Sequence, residues 1–194
     1  MKPVMQVMAC LLLLVSPLAF AADSDVQNLI ENGGFEQSLS EESDLPAVWV
    51  PFSSKSTVLG ITNAAAYSGE KSLKLSGQEV PNAFQGVNFI MPVTAGSRYT
   101  FSGYVLNDKK NPLKGTAHGM LVIEWKASNN KEVARTLSKL WDSGLSRLRW
   151  ERFSIDNMEP PKDAVTAIFG IHYCEGKDGA KGSFFIDEVT LIEK

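Results

Sequence analysis

The sequence predicts an all-β protein, an antiparallel β-sandwich, and three observations point there. Short runs that alternate apolar and polar residues recur along the chain, separated by Gly, Pro, Asn and Asp turns. The closing segment Ser183-Phe184-Phe185-Ile186-Asp187-Glu188-Val189-Thr190-Leu191 alternates as a half-buried strand does, with Asp187 in its middle. The opening segment Asn32-Gly33-Gly34-Phe35-Glu36 offers two glycines for a tight turn, then an aromatic to bury and a carboxylate. The two ends look built to meet.

Taken in order, the expected strands are Val58 to Ile61, Ser72 to Leu75, Ala83 to Ile90, Arg98 to Leu106 and Met120 to Ala127, then Trp150 to Ile155, Val165 to Cys174 and Ser183 to Ile192. Turn chemistry separates them at Ser68-Gly69, Asn107 to Gly115, Ser128-Asn129-Asn130, Glu159-Pro160-Pro161 and Gly176 to Gly182. Between Lys131 and Leu145, Val133, Leu137, Leu140, Trp141 and Leu145 fall at near-helical spacing. Lys131 to Leu137 is nonetheless read as a strand followed by loop. With no repeat and no low-complexity linker, residues 28–194 form one domain behind a short tail, 22–27.

Residues 1–21 read as a secretory signal. Lys2 gives the positive start, Leu11 to Val15 the apolar stretch and Ala19-Phe20-Ala21 the small-x-small cleavage site. The expectation is an exported protein, in the periplasm or outside the cell. Of the two cysteines only Cys174 lies beyond that signal, so no internal disulfide is expected and Cys174 reads as a buried strand residue. The net charge is −3 and no basic patch stands out, which argues against nucleic acid and anionic membrane as partners. The only histidines are His118 and His172, and there is no G-x-S-x-G, no H-E-x-x-H and no phosphate loop. No catalytic site is visible, so the chain reads as a non-enzyme, with a two-carboxylate glycosidase as a distant alternative.

Four segments in register, Asn32 to Glu36, Ser68-Gly69-Glu70-Lys71-Ser72-Leu73, Tyr99-Thr100-Phe101-Ser102-Gly103-Tyr104-Val105 and Ile186 to Leu191, resemble the carbohydrate-binding modules of families 4, 9, 16 and 22. The resemblance spans residues 28–194 and implies a jelly-roll sandwich of the galactose-binding type. It also implies one structural calcium, held by the Gly34 carbonyl, the Glu36 carboxylate, the Ser68 and Lys71 carbonyls and the Asp187 carboxylate. Oxygen donors are what calcium takes, and two buried carboxylates call for a counter-charge.

Sugar recognition pairs aromatic planes with polar groups that bond hydroxyls. Strand parity puts Tyr99, Phe101, Gly103 and Val105 in the core and turns Tyr104 outward. On the later strand it puts Val165, Phe169 and Ile171 inward and Ile168, Gly170 and His172 outward. Tyr104 and His172 are therefore expected on one outer sheet face, with Gly170 leaving room for a ring. Glu124 alternates with the core residues Leu121, Ile123 and Trp125. The resemblance adds Phe84 as a stacking aromatic and Arg135 as a hydroxyl binder. Trp49 and Trp150 match packing positions, while Trp141 is left open. The expected function is binding of a poly- or oligosaccharide. The alternative is a sugar-independent module that docks another exported protein or the cell envelope, since such modules are usually joined to a catalytic domain.

Overall fold

The computed structural model describes residues 27–56, 58–179 and 181–194, so the expected signal lies outside the described residues. Ten strands run β1 (Val50–Ser53), β2 (Leu59–Thr62), β3 (Ser72–Ser76), β4 (Phe84–Pro92), β5 (Tyr99–Asn107), β6 (His118–Lys126), β7 (Glu132–Leu137), β8 (Glu151–Met158), β9 (Thr166–Cys174) and β10 (Ser183–Glu193). They form two five-stranded sheets, β1-β4-β9-β6-β7 and β2-β3-β10-β5-β8, with antiparallel pairing throughout. Among the described residues there is no α-helix, and the all-β antiparallel sandwich is the fold.

Parity explains both faces of each sheet. On β9, Ala167, Phe169, Ile171 and Tyr173 are buried between the sheets, while Ile168, His172 and Cys174 look outward. Val165, expected in the core, lies just before the strand and is exposed. On β5, Tyr99, Phe101 and Val105 are fully buried as expected. Phe101 and Phe169 meet edge to face at 5.5 Å across the layers, and Tyr99, Trp125 and Phe169 continue that aromatic centre. Truncating such a ring typically costs about 3–5 kcal/mol.

Three sequence readings are refined. A short strand, β1, was not expected; Pro51 and its four-residue length hide it, and it occupies a sheet edge, where a proline is tolerated. The segment from Lys131 is strand β7 and then loop, and its helical spacing has another cause. Trp141 folds back to bridge Gly119 and is buried, packed at 5.3 Å from Phe184, while Leu140 stays exposed. At the N-terminal turn the glycine does something other than turn. A Cβ on Gly33 would lie 2.0 Å from the Val189 carbonyl, so Gly33 lets the chain press against β10, and Phe35 takes the positive φ instead.

The two ends do meet. Asn28 donates to the Val189 carbonyl and accepts from the Leu191 amide, Leu29 N–H donates to the Leu191 carbonyl, and Val189 N–H donates to Gly33. Asn32 is buried, bonds Gln37 and the Ala47 carbonyl, and accepts the Trp49 indole N–H on its own carbonyl, which pins this turn to the core.

Candidate functional site

Strand pairing aligns the outward residues of the first sheet into rows. One row runs Phe52, Gly86, His172, Met120 and a second runs Asn88, Gly170, Val122, Leu137. Ile168, Glu124 and Arg135 form a third. Over these rows lies a cleft of about 670 Å³, lined by Phe52, Phe84, Asn88, Glu124, Arg135 and His172 together with Met120, Val122, Leu137 and Cys174.

The cleft has two chemically different ends. At one end Phe84 is half exposed, its ring 6.4 Å from Phe52, and Phe52 meets the His172 ring edge-on at 4.7 Å. At the other, Glu124 bonds Lys126 at 2.9 Å and Arg135 at 2.8 Å, while Glu132 also holds Arg135 at 2.8 Å. Glu132 beside it raises the Arg135 pKa, so this end stays charged. Between the ends sits Asn88, whose carboxamide oxygen is buried without a hydrogen-bond partner among the described residues. Burial pushes the His172 pKa down to about 4, with Glu124 opposing and Arg135 adding to the effect, so the imidazole is neutral near pH 7.

Glycines shape the floor. A Cβ on Gly86 would meet the Phe52 ring at 2.8 Å, and one on Gly170 would meet His172 Nε2 at 2.5 Å and Asn88 Oδ1 at 2.8 Å. The space expected above Gly170 is therefore occupied by His172 and Asn88, which the glycine allows to approach each other. Cys174, at the end of β9, lines the cleft as a free thiol, and burial raises its pKa away from reactivity.

Of the expected sugar-binding residues, Phe84, Glu124, Arg135 and His172 line this one cleft. Tyr104 does not: it is on β5, in the other sheet, where it stacks on Tyr67 at 3.9 Å with Trp150 edge-on to Tyr67. Alternation along a strand fixes which face of its own sheet a residue takes, not which of two sheets that is. Trp125 and Trp49 are core, as read. Phe52 and Asn88 were missed. Asn88 was in reach of the sequence, because it alternates with Phe84 on β4; Phe52 was not, because its strand was not seen.

The five residues expected to hold calcium also come together, where the N-terminal turn meets β10. Asp187 is fully buried; its Oδ2 accepts from the Tyr67 and Ser68 amides at 2.7 and 3.1 Å, and its Oδ1 from Glu188 N–H. Burial raises the Asp187 pKa against these bonds. Glu36 is exposed rather than buried, and its Oε1 accepts from the Glu70 and Lys71 amides while Lys71 Nζ bonds the Glu36 carbonyl. Gly34 lies beside Asp187, Glu188 and Glu36: a Cβ there would be 3.6–4.0 Å from their side chains. Glu188, not foreseen, joins at a bulge in β10 with a φ of 48° and contacts the Ser68 hydroxyl. Among the described residues no cluster of three or more His, Cys, Asp or Glu side chains is set to hold a metal.

The sandwich thus carries a ligand-sized cleft on the outer face of one sheet. The chain belongs to the carbohydrate binding domain family CBM_4_9, whose model matches residues 27–140. No curated protein matches the sequence significantly. Solved structures share the fold at low identity. The enzymatically active domain of Bacteriophage CBA120 tailspike protein 4 aligns with a TM-score of 0.61 and 15% identity over 86% of this chain, but only 21% of that one. TmCBM61 in complex with beta-1,4-galactotriose aligns at 0.56 and 16% identity, over 87% of this chain and 99% of that one. The C-terminal family 22 carbohydrate binding module of Clostridium thermocellum Xyn10B aligns at 0.58 and 14% identity, over 84% and 94%.

Proposed function

We propose that this chain is an exported, non-catalytic protein that binds a poly- or oligosaccharide in the cleft over β1-β4-β9-β6-β7. The observation that carries the reading is the cleft's lining: the half-exposed Phe84 ring beside Phe52 and His172. An aromatic plane takes the C–H face of a sugar ring. Glu124 and Arg135 add an acceptor and a donor at the far end. The similarity to modules such as TmCBM61, solved with beta-1,4-galactotriose, supports the same class of ligand.

A structural calcium belongs to this proposal. Gly34, Ser68 and Lys71 would offer carbonyl oxygens, and Glu36 and Asp187 carboxylates. Support comes from the hard oxygens that gather there, where among the described residues none of Asp187, Glu188 and Glu36 is ion-paired to a lysine or arginine. When bound, the ion supplies positive charge to the buried Asp187 and ties the N-terminal turn to β10.

Affinity gel electrophoresis against β-glucans, xylans, mannans and envelope glycans, with calcium present, tests the reading. Retardation by one class is expected and names the ligand. No retardation by any overturns it in favour of a module that docks another exported protein.

A further inference from the structure

The opposite sheet carries a second concavity. About 420 Å³ in volume, it is lined by Lys74, Lys109, Lys110 and Arg147 over a floor that includes Leu106 and Phe185. The sequence shows no basic patch because these cations come from β3, the loop after β5 and the loop before β8. Among the described residues lining it, the only carboxylate is Asp108, which is already committed: buried, it takes Lys74 Nζ at 2.7 Å, Ser183 Oγ at 2.9 Å and the Lys110 amide at 2.8 Å. Lys109, Lys110 and Arg147 form no ion pair among the described residues. Four cations thus converge on one hollow in a chain whose net charge is −3. Next to it, on the same face, Tyr104 follows Leu106 in the outward alternation of β5 and carries the exposed Tyr67 ring stacked upon it.

We propose that this concavity is a second ligand site, for a saccharide bearing a carboxylate or a sulfate. Lys110 and Arg147 hold the oxyanion, Lys74 is kept in place by Asp108, and the adjoining tyrosine stack takes a neighbouring sugar ring. Charge-assisted bonds to an oxyanion are the stronger kind, and an exposed aromatic beside them selects an acidic sugar over a bare anion. The inference is independent of what fills the cleft on the other sheet.

Amide NMR of the chain tests it, with four probes: a glucuronate trisaccharide, a sulfated trisaccharide, the neutral glucose trisaccharide and a glutamate tripeptide. Either anionic sugar is expected to shift the Leu106, Lys110 and Arg147 amides, and which one does so identifies the oxyanion. The double variant Lys110→Ala with Arg147→Ala, both exposed positions, should weaken that response by about tenfold or more. Phe84→Ala should leave it in place, which separates this site from the cleft. The proposal falls if neither anionic sugar shifts these amides. It falls equally if the neutral sugar or the tripeptide shifts them as tightly, or if Phe84→Ala abolishes the response.

Discussion

Replacing Phe84 by alanine separates recognition from folding, because the ring sits at the rim of the cleft and not in the core. Its residue is 48% exposed, and its nearest aromatic neighbour, Phe52, is 6.4 Å away. Full burial of a phenylalanine contributes roughly 1.5–3 kcal/mol, so a half-exposed one gives up on the order of 1 kcal/mol of stability when truncated. Loss of a stacking platform costs about 1–3 kcal/mol of binding, by analogy with aromatic platforms under other ring ligands. Affinity should therefore fall about fivefold to more than a hundredfold while the melt moves by only a few degrees. Titration calorimetry with the glycan found by gel retardation, paired with thermal denaturation, reads both. Affinity preserved in the variant would refute the placement of the sugar against Phe84. A collapse of the melt matching that of a core ring would refute the account of Phe84 as a rim residue.

The remaining predictions use the same structure. His172 keeps a pKa of about 4 in the folded chain against 6.5 unfolded, so only the unfolded state gains its proton as pH falls below 6.5. Its contribution, on the order of 3 kcal/mol, is present above pH 6.5 and is lost between there and pH 4; His172→Gln should flatten that part of the stability profile measured by urea denaturation. Calcium should raise the melting temperature and EDTA lower it, and Asp187→Ala should abolish the difference; a melt indifferent to both would remove calcium from the proposal. Gly119→Ala places a Cβ 2.2 Å from Trp141 Nε1, so it should destabilise the fold by about 1–3 kcal/mol and redden the tryptophan emission as that ring is displaced.

How far the sequence was legible depended on what kind of information each feature needs. Alternation within a strand is local, and it placed Phe101, Phe169 and Ile171 on the correct faces. Layer assignment is not local. Tyr104 and His172 both point outward, but from opposite sides of the molecule, and only the pairing of β5 with β10 and β8 reveals that. The basic hollow is invisible for the same reason, since Lys74 and Arg147 are neighbours only after folding. Gly170 illustrates a subtler gap: a glycine on an outward face signals crowding or vacancy alike, and the neighbours Asn88 and His172 decide which. Glu188 escaped because a bulge breaks the parity that would otherwise have turned it into the core.

The place of β10 has a consequence for how the molecule is made. It is the central strand of its sheet, with β3 on one side and β5 on the other, and both partners lie far from it in sequence. The β2-β3 and β5-β8 halves of that sheet are joined only when Ser183–Glu193 comes between them, and the Asn28 clasp on Val189 and Leu191 waits on the same strand. Closure of the sandwich is thus governed by distant pairings, which makes for slow folding. A chain clipped before Ser183 would lose the middle of a layer rather than its edge.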